Sequence, residues 1–315
     1  MKIAIVTPAG ADIRSGNSHT AQRWAKLLRS LGHRVSVGDG WNGGDAAVLI
    51  ALHARKSSST IERYHKLRPG APLVVALTGT DLYRDIAVSD EARHSLAVAS
   101  RLIVLQERGL RELAQRYRAK TRVVYQSADI DVRHAPYAQR FRIAVVGHLR
   151  DEKDPFRAVS ALDCLSSDAD LDIIQMGAAL TPEMRKHAEL WMKRESRYHW
   201  LGSKPHRQAL RWMASSHLLV VSSVMEGGAN VICEAARIGL PVLASHISGN
   251  IGMLGADYPG YFRLFDDRDL ARLIQRAMVD PGFYGTLKRY IRARKSLFAP
   301  SAERQTLKKL LAELD

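Results

Sequence analysis

Cysteine is nearly absent: the chain of 315 residues has only Cys164 and Cys233. That excludes a disulfide framework and a zinc site built on cysteine pairs. No His, Cys and Asp cluster has metal-ligand spacing either, so no metal is expected. Long apolar runs are missing too. None approaches the ~18 residues of a membrane-spanning helix, which argues against stable membrane insertion. The opening MKIAIVTPAG holds one Lys and a short apolar run, where a secretory signal needs roughly 7–15 apolar residues. A cytoplasmic protein is therefore expected. Negative charge is the scarcer sign, with 32 Asp and Glu against 47 Lys and Arg, a net +15. Such a field favours anionic partners, from phosphorylated small molecules to polymers. Both halves are basic, and no basic block of about 5–8 residues concentrates the charge. A nucleic-acid tail is not expected.

The 46% apolar content is enough for buried cores, and its arrangement is regular. KIAIVT (2–7) reads as a buried parallel strand that ends in Pro and Gly. Ala21, Trp24, Ala25, Leu28 and Leu31 then carry the spacing of a helix with one buried face, closed by Gly32. Further short runs follow at 33–37, 46–52, 72–78, 101–106 and 122–126. The pattern restarts at FRIAVVG (141–147) and continues at 171–177, 199–202, 217–223 and 241–245. Alternating strands and helices of this kind predict open parallel sheets. The expected fold is α/β with two doubly wound, Rossmann-like domains facing across a cleft. Their expected extents are 1–135 and 136–296, with a last helix in 297–315 open to packing back on the first. Ser301 reads as the cap of that helix. The seven Lys and Arg in 101–122 read as a solvated helix face, with membrane-surface docking as the alternative. The Asp-x-Asp triplets at 129–131, 168–170 and 170–172 read as acid-rich linkers or strand starts rather than metal ligands.

The segment SSVMEGGANVICEAARIGLPVLAS (222–245) carries the chemistry. It reads as strand end, glycine loop and helix. Glu226 precedes Gly227 and Gly228, and Glu234 falls inside the helix. On a helical wheel Val231, Ala235 and Ile238 form the buried stripe, Glu234 lies at its edge, and Arg237 lies opposite. The glycines let backbone approach a ligand, and the helix start offers unpaired N–H groups to an anion. A carboxylate repels phosphate, but it accepts two hydrogen bonds from a vicinal diol. One anion site with two hydroxyl-binding carboxylates describes a nucleotide diphosphate sugar. A capping glutamate and a solvated one are the plain alternative.

This Glu-x7-Glu pattern, followed by Gly-x-Pro-Val, resembles the donor-site signature of glycosyltransferase family 4, which has the GT-B fold. VGHLRDEKDP (146–155) resembles that family's diphosphate loop, and LTGTDLYRD (77–85) its His-Gly-x-Asp turn. The resemblance covers nearly the whole chain. It implies that Glu226 faces the donor sugar and Glu234 binds ribose. The amides of Gly227, Gly228, Ala229 and Asn230 would line the sugar and diphosphate, and Lys153 would neutralise the leaving diphosphate. Leu201, Gly202 and Lys204 would frame the uracil. Two positions depart from the family. Its arginine falls on His148, with Arg150 two residues later, and its turn histidine is replaced by Thr78.

PAGADIRSGNSHTAQRW (8–24) reads as an anion cradle built from Arg14, Gly16, Asn17, Ser18, His19 and Thr20. An ordinary helix capped by Ser18 is the alternative. Together with LHARKSSST (52–60) and SHISGNIGMLGADYPGYF (245–262), it resembles one narrow subgroup, the selenosugar synthases of selenoneine biosynthesis. That implies transfer of a sugar, N-acetylglucosamine, from UDP to selenophosphate, with release of UDP and phosphate. His53, Thr78 and Asp81 would stand near the acceptor. The expected partners are these small molecules, with no further cofactor, no nucleic acid and no oligomeric state specified. Two readings stay open beside this one: an ordinary family 4 transferase acting on a hydroxyl, and a basic binder of anionic polymers.

Overall fold

The computed structural model describes residues 1–8 and 16–314. By their contacts these fall into two compact units. The first comprises 1–127, 226–230 and 299–315, and the second 128–225 and 231–298.

The first unit holds β1 (Lys2–Val6), β2 (Arg34–Gly38), β3 (Val48–Leu52), β4 (Leu73–Leu77), β5 (Arg101–Val104) and β6 (Thr121–Val123). They form one parallel sheet of six strands in the order β2-β1-β3-β4-β5-β6. The apolar runs are continuous because both faces are covered. Ala4, Val6, Leu49, Ala51, Val75 and Leu77 enter one core. Ile3, Ile5, Val48, Ile50, Leu52 and Val74 enter the other. The helix Gly16–Arg29 lays Ala21, Trp24, Ala25 and Leu28 on that second face, and the helix Pro300–Ala312 adds Leu307, Leu310 and Leu311.

The second unit repeats the plan with β7 (Phe141–Val146), β8 (Leu171–Met176), β9 (Tyr198–Trp200), β10 (Leu218–Val221), β11 (Val242–Ser245) and β12 (Tyr261–Phe262). Its parallel order is β12-β11-β10-β7-β8-β9. In each sheet the chain steps outward in both directions from one strand. The strand order therefore reverses between β1 and β3, and between β7 and β10. Loops at the carboxyl ends of such strand pairs are where open α/β sheets bind ligands.

Several local expectations are corrected. The last helix starts at Pro300 behind Ala299, with no side-chain cap, so Ser301 lies inside its first turn. Proline at the first helical position presets φ and needs no N–H partner. The first helix starts at Gly16, which likewise places Ser18 inside rather than at the cap. Residues 101–122 do not form one helix. They split into β5, a 3-10 turn at Glu107–Leu110, a four-residue helix at Gln115–Arg118, and β6. Arg101 and Arg122 both pair with Glu313, and Lys120 donates to the carbonyls of Ala97 and Ala99. Among the described residues no helix is long and apolar enough to cross a membrane.

Candidate functional site

In the second unit the loops after β7 and β10 flank the reversal point and are tied to each other. Ser222 Oγ donates to the carbonyls of Lys153 and Asp154 (3.0 and 2.8 Å), and Val224 N–H donates to Glu152 O (2.9 Å). The β7 loop turns at Gly147, with φ 157°. The methylenes of Lys153 pass 3.8–4.0 Å from where a Cβ on Gly147 would stand. The neighbouring β8 loop comes closer still. A Cβ on Gly177, which has φ 151°, would lie 1.8 Å from Gly147 O. No rotamer relieves a backbone clash of that kind. Gly177→Ala is expected to destabilise the fold by about 3 kcal/mol, seen as a lower urea midpoint. A midpoint within error of wild type would refute the close approach.

The residues expected around a diphosphate are distributed along this loop. Leu149 is buried and bridges to Ala179, while His148 and Arg150 flank it on the other side, as extended backbone requires. One ring nitrogen of His148, Nδ1, accepts from Ala178 N–H (3.2 Å). Arg150 is exposed, with Glu152 at 3.8 Å, so its cation is only weakly engaged. Gly202 adopts φ 67° and its carbonyl accepts from Gly177 N–H (2.9 Å). Leu201 packs on Ile174, Met176 and Ala209, and Lys204 is half-buried beyond the turn.

Glu234 stands on the helix Asn230–Ile238. That helix buries Ile232, Cys233, Ala235, Ala236 and Ile238, a wider face than the expected stripe, and Val231 is only half-buried. Glu234 keeps a side-chain exposure of 16% and accepts from His206 Nε2 at 2.8 Å. That bond raises the pKa of His206 above its ordinary value, against the opposing effect of partial burial.

The first unit contains the turn 78–81 and the glycine loop 226–230. Asp81 is fully buried and organises the turn. Its Oδ1 accepts from Thr78 N–H and Gly79 N–H, and its Oδ2 from Ala54 N–H, all at 2.9 Å. These three bonds make it the residue that shapes the turn. The glycine loop packs against that turn. A Cβ on Gly227 would stand 2.3 Å from Thr78 O, and one on Gly228 would stand 2.7 Å from the Cβ of Leu105. Glu226 and Ala229 are buried beside them.

His53 directly follows β3 and has φ 76°, a left-handed conformation that side chains adopt sparingly. Its Nδ1 accepts from Lys56 N–H (3.2 Å). The neutral ring therefore carries its proton on Nε2, which donates to Thr80 Oγ1 (3.0 Å). Burial lowers the pKa of His53, although Asp81 and Asp85 oppose the shift.

Of the expected cradle, Gly16 and His19 are exposed and Asn17 is half-buried. Ser18 and Thr20 point inward, and Thr20 Oγ1 donates to Gly16 O (2.9 Å). Arg14 lies outside the described residues.

Two partners, Glu303 and Gln126, were not singled out from the sequence. Glu303, fully buried, accepts from Arg23 Nε, Trp24 Nε1 and Ser127 N–H at 2.9, 2.7 and 2.9 Å. Arg23 also donates to Asn230 Oδ1 in the glycine loop (3.3 Å). Gln126, turned so that its amide nitrogen faces Gly228 O (2.8 Å) and Asn230 Oδ1 (3.0 Å), satisfies its neighbours. Among the described residues no group of three His, Cys, Asp or Glu side chains is placed to hold a metal ion.

Residues 126–296 match the family model described as glycosyl transferases group 1. A curated relative, glycosyltransferase 1 domain-containing protein 1 of Xenopus tropicalis, is 24% identical over 95% of each chain. Among solved structures, sucrose-phosphate synthase from Thermosynechococcus elongatus superposes with a TM-score of 0.81 at 16% identity, covering 100% of this chain and 99% of its own. The Anabaena HepE protein in complex with UDP-glucose superposes at 0.78 and 18% identity, covering 99% and 100%. These likenesses agree with the expected GT-B architecture of two Rossmann-like sheets.

Proposed function

The chain belongs to the glycosyl transferases group 1 family, and from that premise we propose that it is a selenosugar synthase, transferring N-acetylglucosamine from its UDP donor to selenophosphate. The donor half of this reading is supported by the loops at the reversal point of the second sheet and by HepE, a structural neighbour solved with UDP-glucose. Lys153, with Arg150 and His148, is assigned to the diphosphate. Glu226 and the amides of 227–230 are assigned to the sugar, Glu234 to the ribose, and Leu201, Gly202 and Lys204 to the uracil.

The acceptor half rests on one observation: the groups around the turn 78–81 are poor bases. Thr78 stands where the family resemblance expects a histidine. His53 has its acceptor nitrogen taken by Lys56 N–H, and burial lowers the pKa of its ring. Both oxygens of Asp81 accept from backbone amides. A hydroxyl acceptor must lose a proton as it attacks, whereas selenium in selenophosphate arrives anionic. It needs positioning and charge neutralisation more than a base. Selenium attacks the anomeric carbon, the bond from that carbon to the diphosphate oxygen breaks, and UDP departs with the electron pair. Water then cleaves the selenium–phosphorus bond, which yields phosphate and the selenosugar. The acceptor's phosphate is assigned to the start of the helix Gly16–Arg29, with Gly16, Asn17 and His19, the inward-facing Ser18 and Thr20 shaping that turn from behind, and Arg14 as the expected cation.

The test is incubation of the purified protein with UDP-sugars, with and without selenophosphate, followed by mass spectrometry. UDP release is expected to depend on selenophosphate and to accompany a selenium-bearing sugar. Release driven by a hydroxyl acceptor, with selenophosphate inert, would overturn the acceptor and leave the glycosyltransferase.

A further inference from the structure

The carboxylate assigned to ribose has a fixed partner. Glu234 Oε1 accepts from Nε2 of His206, the first residue of the helix His206–Ala214, at 2.8 Å. That helix is anchored by Ala209, Leu210, Met213 and Ala214, all buried. Its start follows directly on the Gly202 turn at the end of β9. Among the described residues Glu234 makes no other side-chain hydrogen bond or ion pair, so Oε2 is left to accept.

A glutamate side chain has three rotatable bonds, and a free one must be ordered when a diol binds. A diol also needs the carboxylate plane in one orientation if both of its hydroxyls are to donate. We propose that His206 is the positioning residue of the donor site, holding Oε1 of Glu234 so that the carboxylate is preset for the two ribose hydroxyls. The inference rests on the reading of Glu234 as the ribose holder. His206 itself is 62% exposed in its side chain. Its bond to a carboxylate belongs to the stronger class of hydrogen bonds, which suits a fixed orientation.

The experiment is calorimetry with two nucleotides, UDP and 2′,3′-dideoxyuridine diphosphate, on wild type, Glu234→Ala, His206→Ala and His206→Gln. Wild type should prefer UDP, and Glu234→Ala should bind the two nucleotides equally. His206→Ala should weaken UDP about fivefold and leave the dideoxy analogue unchanged. His206→Gln, whose amide nitrogen can replace Nε2 as donor, should recover most of the preference. Two outcomes overturn the inference alone: a wild-type preference in His206→Ala, or equal weakening of both nucleotides without rescue by Gln. If Glu234→Ala keeps the preference for UDP, the ribose assignment itself is wrong and the inference falls with it.

Discussion

Glu303→Ala is expected to lower the unfolding free energy by about 3–5 kcal/mol, the cost of breaking a buried ion pair from one side. The carboxylate is completely buried, and Arg23 is only 19% exposed in its side chain. Removing the acid leaves a largely buried guanidinium without its carboxylate, with only neutral acceptors such as Asn230 Oδ1. It also strips acceptors from the indole N–H of Trp24, a residue with no exposure, and from Ser127 N–H and Oγ. Each orphaned donor then carries its desolvation cost uncompensated. The truncated side chain adds a cavity beneath Trp24. Urea unfolding followed by fluorescence should show a lower midpoint with an unchanged slope. Glu303→Gln should cost less, because its carbonyl can still accept from Trp24 or Ser127. A loss under about 1 kcal/mol in the alanine variant would mean that solvent reaches the network and replaces the missing oxygen.

β1, β3, β4 and β8 were legible because strands covered on both faces need continuous apolar runs. β12 was not, because two residues carry no period. Within 101–122 the two strands were read as apolar runs, but the turn and short helix between them were not. Arginines and lysines can coat a helix or bridge turns equally well, and their partners here, Glu313 and the carbonyls of Ala97 and Ala99, lie far away in sequence or carry no side-chain signal.

The glycine loop and the β7 loop were legible as loops because their signal is local: glycines and polar residues directly behind an apolar run. The pairings were not. Glu303 meets Arg23 across 280 positions, and His206 meets Glu234 across 28. No local periodicity encodes which side chains the sheets bring together. Asp81 shows the opposite case. Its type and position suggest chemistry at a ligand, and its structural role, accepting from three backbone N–H groups, had no local signal. The wheel around Glu234 placed it correctly at the edge of the buried face, and missed how much of the helix that face covers.

Lys153→Gln is expected to lower kcat by about 100- to 1000-fold, the range seen when one preorganised partner of a developing charge is removed. The proposed reaction breaks the bond to the diphosphate, so negative charge grows there in the transition state. A cation is most effective where its position is fixed in advance. Lys153 is held that way: its methylenes lie over Gly147, and its own carbonyl is gripped by Ser222. The loop turns immediately afterwards, at Asp154 with φ 42°. Glutamine keeps most of the length and loses the charge, so the fold should survive and the effect should fall on kcat more than on the donor's KM. Steady-state kinetics over donor concentration, with UDP release as the readout, give both values. Arg150→Gln is the internal control. Arg150 is exposed, with only Glu152 nearby at 3.8 Å, and its loop position is not pinned through its own side chain. It should lose less, about tenfold, and mostly in KM. If Arg150→Gln abolishes turnover while Lys153→Gln stays within threefold of wild type, the leaving group is neutralised from the other side of Leu149. In that case Arg150 carries the charge assigned to Lys153.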